Sequence, residues 1–223
     1  MAPLATENVI PAEARDVAYP SAAEETASAV RGSSAGGEQP KFLSYVRQPD
    51  GRFQAVLVKF SAPMSQDAGR RWADLLACEF HAHEVLAEVG LAMQGACLFD
   101  AGGRRFLEIP RFDRYGACGR RGIVSLESLT TALEGLPRDW LEGAEILLRH
   151  GLLDSESLAT IRLLHAFGEL IGNSDMHACN LSFFLDDSMP LRVTPYYDML
   201  PMLWAPGSPV SYTHLTLPTN REV

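Results

Sequence analysis

The sequence predicts an α+β protein with two lobes, a strand-rich first lobe and a helical second lobe. Two observations carry this prediction. Up to about residue 114, short runs of β-prone residues surround glycine-containing turns, with one long helical pattern between them. Beyond that point, apolar residues recur mostly at helical spacing. With 47% hydrophobic residues in a chain of 223, there are enough apolar side chains to build a core.

The first lobe is assigned to residues 32–114. The run FLSYVRQPDGRFQAVLVKF predicts a hairpin, because Gln48-Pro49-Asp50-Gly51 supplies turn dihedrals between two β-prone segments. Residues 67–90 show helical spacing of apolar side chains and end at Gly90, a suitable helix terminator. A second hairpin follows, with its turn at Ala101-Gly102-Gly103.

The second lobe is assigned to residues 115–210. Its first part predicts three helices, over 125–135, 139–150 and 154–171. Asp154 or Ser155 can accept a hydrogen bond from the first turn of the last helix, as N-cap residues do. The segments LSFFL and LRVT then predict a strand pair around a turn at 186–190.

The two ends of the chain are predicted to lie outside the lobes. Residues 1–31 are rich in Ala, Ser, Glu and Pro, which predicts a poorly ordered lead-in with a short helix at 21–30. Residues 211–223 continue no earlier pattern, and we interpret them as a non-native tail. On that interpretation the natural protein is longer, and the second lobe is truncated.

Composition restricts the class of protein. The net charge of -9 and the pI near 5.1 argue against a chain that coats nucleic acid, so direct nucleic-acid binding is not expected. No apolar run is long enough to span a membrane. The four cysteines show no paired spacing and are expected to be reduced thiols, which predicts a cytoplasmic protein.

The stretch LIGNSDMHACNLSFF, residues 170–184, places polar groups between two apolar segments. Asp175 and Asn180 are five residues apart, and Asp198 follows after a predicted hairpin. Protein kinases use an Asp as catalytic base, an Asn five residues later on a metal ion, and a further Asp on Mg²⁺. Carboxylate and carbonyl oxygens are the ligands that Mg²⁺ prefers, and Asp175 can accept a hydroxyl proton.

Phosphate-binding groups are predicted in the first lobe. Lys59 ends an apolar β-run, and a phosphate-binding lysine commonly has an acidic partner on the following helix. Glu79 and Glu84 are the candidates for that partner, with Glu79 favoured. The segment RGSSAGGEQPKF, which includes Ser34, allows close backbone approach to an anion through its glycines.

Each of these features also has an ordinary explanation. An Asp and an Asn five residues apart occur in many loops, a lysine at a strand end is often solvated, and a glycine-rich segment is often a linker. His177 more simply braces the backbone than binds a metal. A metal-dependent hydrolase built on Asp175, His177 and Asp198 would require more ligands than the chain offers.

Taken in order, the motifs SSAGGEQPKF, VLVKF, IPRFDR, LIGNSDMHACN and YYDMLP resemble those of HipA-type toxin kinases, over residues 32 to 202. These are bacterial serine/threonine kinases with a divergent two-lobed protein-kinase-like fold. The resemblance implies that ATP and Mg²⁺ are cofactors. It places Asp175 as the catalytic aspartate, Asn180 and Asp198 as Mg²⁺ ligands, and the cofactor-binding groups at Ser34, Gly36, Gly37, Lys59, Pro110 and Phe112.

Within that resemblance, the carbonyl of Pro110 and the N–H of Phe112 would bind adenine. A proline stands where the family often has an acidic residue, which is tolerable because only a carbonyl is needed there. Ser34 matches a serine that becomes phosphorylated in the family. The resemblance also implies a protein substrate, of the translation machinery, and a DNA-binding antitoxin as partner. The alternative is a catalytically inactive nucleotide-binding or interaction module, against which the presence of all four catalytic positions argues.

Overall fold

The computed structural model describes residues 9–30, 39–116, 119–187 and 189–206. The predicted phosphate-loop residues Ser34, Gly36 and Gly37 lie outside this described part, as does the predicted tail. Within it, the chain is an α+β protein with a sheet-based first lobe and a helical second lobe, as the sequence predicts. In the described residues no helix is long and apolar enough to cross a bilayer.

The first lobe is built on a five-stranded sheet with the order β1-β2-β3-β5-β4. Its strands are β1 (Val9–Pro11), β2 (Lys41–Arg47), β3 (Phe53–Phe60), β4 (Cys97–Ala101) and β5 (Arg104–Pro110). Strand β1 runs parallel to β2, and the other neighbours are antiparallel. Both predicted hairpins are confirmed, and the positive φ of Gly51 (83°) and Gly103 (73°) explains why glycine stands in these turns.

Both faces of the sheet are covered, which explains why β5 is an almost continuous buried run. Helix α1 (Arg15–Val30) lies on one face, where Tyr19 packs against Phe42, Phe99 and Phe106. The opposite face contacts α2 (Asp67–Glu88). Alternate residues of a strand point to opposite sides of the sheet, so Leu107, the neighbour of Phe106, packs against Leu76 of α2.

The predicted short helix at 21–30 lies within an observed helix, but the prediction of a poorly ordered lead-in is wrong for residues 9–20. Residues 9–30 form β1 and the 16-residue helix α1, and the Tyr19 side chain is fully buried. Two side chains of α1 hold the helix on the sheet: the Arg15 Nη2 donates to Glu108 Oε1 at 2.8 Å, and the Tyr19 hydroxyl donates to Glu108 Oε2 at 2.5 Å. The first lobe therefore begins before residue 32.

The second lobe contains the three predicted helices, α3 (Leu126–Leu133), α4 (Trp140–Arg149) and α5 (Ser155–Ile171). Asp154 caps α5 by accepting a hydrogen bond from the Ser157 N–H at 2.7 Å, so Asp154 rather than Ser155 is the N-cap. The fully buried Trp140 is the largest side chain of the core between these helices.

Short strands complete the structure. Residues Arg114–Tyr115 (β6) pair with Gly119–Arg120 (β7), and Ile123–Ser125 (β8) pairs with Ser182–Phe184 (β9). The predicted pairing of LSFFL with LRVT is present as a short antiparallel contact on the second edge of β9. Phe183 bridges to Val193, the Phe184 N–H donates to the Arg192 carbonyl, and the Thr194 N–H donates to the Ser182 carbonyl, both at 2.9 Å. The pairing of β9 with β8 was not predicted.

Asp113 joins the two lobes through a cluster of charges. Its carboxylate accepts two hydrogen bonds from Arg111, at 2.8 and 2.6 Å, and also contacts Arg114. Its backbone carbonyl accepts from the Arg121 N–H at 3.0 Å. The hydrogen bonds from the arginines lower the pKa of Asp113 although burial alone would raise it. Asp113 thus ties the end of the sheet to the beginning of the second lobe.

Candidate active site

Three charged residues that are far apart in sequence meet between the lobes. Lys59 Nζ donates to Glu79 Oε1 at 2.5 Å and also to Asp198 Oδ1. The side chains of Lys59 and Glu79 are 5% and 1% exposed, whereas that of Asp198 is 30% exposed. The cluster therefore has a closed side at Glu79 and a side at Asp198 that a ligand can reach.

The fold explains the choice between Glu79 and Glu84. Lys59 lies on the α2-facing side of β3, and the buried face of α2 presents Glu79 to it. Glu84 is five residues further along the helix and therefore points away from Lys59. Glu79, which the sequence favours, is thus the partner of the predicted phosphate-binding lysine.

The pKa shifts of Lys59 and Asp198 favour their charged forms. Burial alone would lower the pKa of Lys59, but the charges of Glu79 and Asp198 reverse that effect and raise it. Burial alone would raise the pKa of Asp198, but the charge of Lys59 and its hydrogen bond lower it below the usual aspartate range. At neutral pH the cleft therefore presents an ammonium and a carboxylate side by side, which suits a phosphate and a cation respectively.

Asp198 also has an unusual backbone. Its φ of 67° lies in the left-handed region that few residues other than glycine adopt. Such strain is found where the surrounding structure fixes a functional group. Here the backbone conformation and the ion pair with Lys59 together fix the Asp198 carboxylate.

The predicted catalytic loop follows α5 directly. Gly172 ends the helix in the left-handed conformation, with φ 76°. The Asn173 side chain then accepts a hydrogen bond from the Asp175 N–H at 3.0 Å. The Asn180 Nδ2 donates to the Asp175 carbonyl at 2.9 Å, and Asn180 is buried. Two asparagines thus fix the backbone of Asp175, while its side chain stays half exposed.

Asp175 lies at the boundary between two cavities. One, of about 80 Å³, is the inner cavity, lined by Gln39, Lys41, Lys59, Trp72, Asp175, Asp198, Leu200 and Met202. The other, of about 480 Å³, is an open outer groove beside the catalytic loop, lined by Asp139, His165, Glu169, Asn173, Ser174, Asp175, Met176 and His177. Asp175 is therefore reachable from the charged cluster and from an open surface.

The donor set fits Mg²⁺ better than a transition metal. Among the described residues, no three His, Cys, Asp or Glu side chains are grouped as a metal site of that kind. His177 Nε2 is 3.9 Å from Asp175 Oδ1, which is beyond hydrogen-bond distance, so the hydrolase alternative gains no support. Asn180 uses its amide nitrogen on Asp175, which leaves its oxygen as an acceptor, and an amide oxygen with the Asp198 carboxylate matches Mg²⁺.

The predicted adenine-binding groups lie where β5 leads into the second lobe. The Arg111 N–H donates to the Ala55 carbonyl of β3 at 2.9 Å, so the Pro110 carbonyl of the same trans peptide points away from β3. The Phe112 ring stacks on Tyr197, with ring centroids 5.8 Å apart. Contact of Pro110 and Phe112 with adenine stays a prediction.

Three residues near the site were not found from the sequence. Gln39 and Lys41 line the inner cavity from the beginning of β2. Tyr197 links the two lobes, because its ring stacks on Phe112 and its hydroxyl lies 2.7 Å from the Ser182 hydroxyl. A hairpin centred on residue 50 places Lys41 opposite Lys59, so the register could have indicated Lys41.

The comparisons with known proteins agree with this architecture. A toxin of Escherichia coli (strain K12), YjjJ, is 43% identical over 188 residues, which are 84% of this chain and 42% of that protein. Among solved structures, HipA of Shewanella oneidensis MR-1, in a complex with HipB and operator DNA, has a TM-score of 0.53 at 21% identity. That match covers 76% of this chain and 44% of HipA.

A second solved structure, the Helicobacter pylori proinflammatory kinase CtkA, has a TM-score of 0.50 at 16% identity, over 71% of this chain and 55% of CtkA. At such identities these structures show the fold alone, which is kinase-like with two lobes. The chain spans about half the length of these relatives or less.

The family comparison covers most of the chain. Residues 33–222 match the family described as the HipA-like C-terminal domain. The matched range includes most of residues 211–223, whose non-native origin stays a prediction. Together with the 43% identity to the Escherichia coli toxin, this match shows that the chain belongs to the HipA-like C-terminal domain family.

Proposed function

We propose that this chain carries the catalytic centre of a HipA-type serine/threonine protein kinase, which transfers a phosphoryl group from Mg-ATP to a protein hydroxyl. The observation that carries the proposal is the position of Asp175 between the inner cavity and the outer groove. A phosphotransferase needs its base between the nucleotide and the acceptor, and Asp175 has access to both sides.

Each charged residue has a role in this proposal. Lys59, kept cationic by Glu79, binds phosphate oxygens. Asp198 and the amide oxygen of Asn180 would hold Mg²⁺, which supplies neutralisation of phosphate charge when bound. Asp175 accepts the proton of the substrate hydroxyl, and the two asparagines that fix its backbone keep it in position.

On substrates and partners, we propose a protein substrate of the translation machinery, a DNA-binding antitoxin and a cytoplasmic location. The Escherichia coli relative is a toxin, and the Shewanella HipA structure contains HipB and operator DNA, which supports the partner in this proposal. Phosphorylation of Ser34 belongs to the same proposal. Mass spectrometry after incubation with Mg-ATP should find phosphate on Ser34 if it holds.

The first test is Mg-ATP binding by calorimetry, with wild type beside an Asp198→Asn variant. Asparagine tolerates the left-handed backbone at this position, so the variant removes the carboxylate with little added strain. We expect wild type to bind and Asp198→Asn to bind at least tenfold more weakly, since the neutral amide lacks the negative charge with which the Asp198 carboxylate attracts Mg²⁺. Equal binding by both proteins would contradict the assignment of Asp198.

A second test separates the kinase from an inactive nucleotide-binding module. Asp175→Asn keeps the backbone hydrogen bonds of the loop but removes the proton acceptor. We expect this variant to bind Mg-ATP like wild type and to lose phosphoryl transfer by a factor of about 10² to 10⁴. If wild type binds Mg-ATP and transfers no phosphate to water or to protein, the inactive module is the correct interpretation.

A further inference from the structure

We infer that the outer groove binds the acceptor segment of the protein substrate, and that Asp139 and Glu169 make the groove select a segment with a lysine or arginine beside the acceptor hydroxyl. This inference rests on the proposed function and names the chemistry of the substrate for the same site. The groove has the required place and size, since its volume is about 480 Å³ and Asp175, the proposed base, lies on its wall. The acceptor hydroxyl must reach Asp175 from the side away from the nucleotide, so the chain that carries it lies in this groove.

The wall of the groove carries negative charge that the fold does not neutralise. Asp139, Glu169 and Asp175 line it, and none of these carboxylates is paired with a lysine or arginine in the described part of the chain. The ionisable neighbours of Glu169 and Asp175 are histidines, His165 at 3.6 Å and His177 at 3.9 Å, and a histidine is cationic only when it is protonated. A cationic side chain of the bound segment would complement this wall.

The position of Glu169 gives an independent reason for a cationic ligand. Glu169 lies in the last turn of α5, which contains no basic residue. The last turn of a helix carries a partial negative charge, so a carboxylate there opposes the helix dipole, whereas a cation is favoured. A lysine or arginine of the bound segment would therefore be attracted both by the Glu169 carboxylate and by the end of α5.

A buried amide on the groove wall suits a polypeptide backbone. Asn173 is only 4% exposed and lines the groove. Its oxygen accepts from the Asp175 N–H, but the acceptor that the described residues offer to its nitrogen is the Met199 sulfur at 3.7 Å, which is a weak one. One N–H of this amide therefore lacks an acceptor within the described ranges, and a backbone carbonyl of the acceptor segment would supply it.

The structure allows the charges to be removed with little disturbance of the fold. Asp139 Oδ1 caps α4 by accepting from the Glu142 N–H at 2.8 Å, and asparagine caps helices as well as aspartate does, so Asp139→Asn keeps the cap and removes the charge. Glu169→Gln removes the charge of a side chain that is 66% exposed. The matched control is Glu156→Gln, which changes an exposed carboxylate in the first turn of α5, outside the groove lining.

The test uses three serine peptides of equal length, in which the residues beside the serine are lysine, glutamine or glutamate. Transfer of phosphate from Mg-ATP to each peptide is measured as kcat/KM. We expect wild type to prefer the lysine peptide to the glutamate peptide by at least about tenfold. Asp139→Asn and Glu169→Gln should each lower the ratio of the lysine rate to the glutamine rate by about twofold to fivefold, as for partly exposed charge pairs, and Glu156→Gln should behave like wild type. The ratio is the readout because a merely structural change lowers both rates together.

Binding of the same peptides, measured by fluorescence anisotropy, separates this inference from the kinase proposal. If the lysine peptide binds in preference and the two variants lose that preference, but no phosphate reaches any peptide, the proposed function fails and the assignment of the groove stands. If phosphate is transferred equally well to all three peptides, the proposed function stands and the inference is overturned. The inference is also overturned if binding shows no preference, or if Asp139→Asn and Glu169→Gln change the ratio no more than Glu156→Gln does.

Discussion

Lys59 is buried with two carboxylates, so its charge is part of the packing as well as of the proposed chemistry. We expect Lys59→Met to lower the free energy of unfolding by about 3 to 5 kcal/mol, because Glu79 is left buried and unpaired. Glu79→Leu should have a similar effect by leaving Lys59 without its buried partner. The double variant Lys59→Met/Glu79→Leu should recover most of the stability while Mg-ATP binding stays lost.

Urea denaturation of the four proteins measures this cycle, and Glu84→Gln on the same helix is the control with little expected change. A double variant as unstable as the sum of the two single variants would show that Lys59 and Glu79 do not interact. Mg-ATP binding by the double variant would contradict the role of Lys59 at the phosphates.

At this scale the sequence predicted side chains whose chemistry is distinctive and missed those whose role depends on register. The order of Lys59, Asp175, Asn180 and Asp198 along the chain is a pattern that can be read directly. Gln39 lies in the quoted motif SSAGGEQPKF, but the sequence alone assigned it no role of its own. Its place in the lining of the inner cavity depends on packing.

At the scale of elements, α1 and β1 show how a weak pattern can hide a packed segment. Helix α1 contains Pro20 and few large apolar residues, and among residues 15–28, whose burial the structure describes, only Tyr19 and Ala23 are fully buried. Such a composition is typical of a solvated segment. What holds the helix is a contact with Glu108, far along the chain, which no local pattern reveals.

Tyr19→Phe tests this attachment. The change keeps the ring contacts and removes the hydrogen bond to the buried Glu108 carboxylate, so we expect a loss of about 1.5 to 3 kcal/mol in the free energy of unfolding. Chemical denaturation measures it, with the exposed Tyr115→Phe as control. A loss no larger than that of Tyr115→Phe would mean that the hydrogen bond contributes nothing to the docking of α1.

The strand after the catalytic loop has two partners, of which the sequence predicted one. Hydrophobic alternation in LSFFL and LRVT fits a hairpin, and Phe183 does bridge to Val193. Ser182–Phe184 also pairs with Ile123–Ser125, about 60 residues earlier in the chain. Local patterns predict a neighbouring partner, whereas a distant partner is decided by the tertiary structure.

At the scale of the whole molecule, Asp113 connects the lobes, and the stability that its contacts contribute decreases at acidic pH. Its pKa is lowered in the folded state, so its contribution is fully present above the unfolded aspartate pKa of about 3.9 and is lost as pH falls through the lower folded value. We expect Asp113→Asn to be less stable than wild type by about 2 to 3 kcal/mol at pH 7. This loss is smaller than that for a fully buried ion pair, because both arginines are partly exposed to solvent.

Denaturation curves between pH 7 and about pH 2.5 check this prediction. The difference between wild type and Asp113→Asn should stay constant down to about pH 4 and shrink below it, as the wild-type carboxylate takes up a proton. A difference that does not depend on pH would mean that shape, rather than charge, accounts for the role of Asp113.

The parallel pairing of β1 with β2 has a practical consequence for anyone who trims the chain. The polar composition of residues 1–31 suggests that the chain could be shortened to begin at residue 32. That truncation would remove both β1 and α1. Such a cut would strip β1 from Tyr45–Arg47 of β2 and uncover the aromatic face that Tyr19 covers. An unpaired strand edge beside an apolar face is the surface through which sheets of separate chains join, so the shortened protein would gain a route to aggregation.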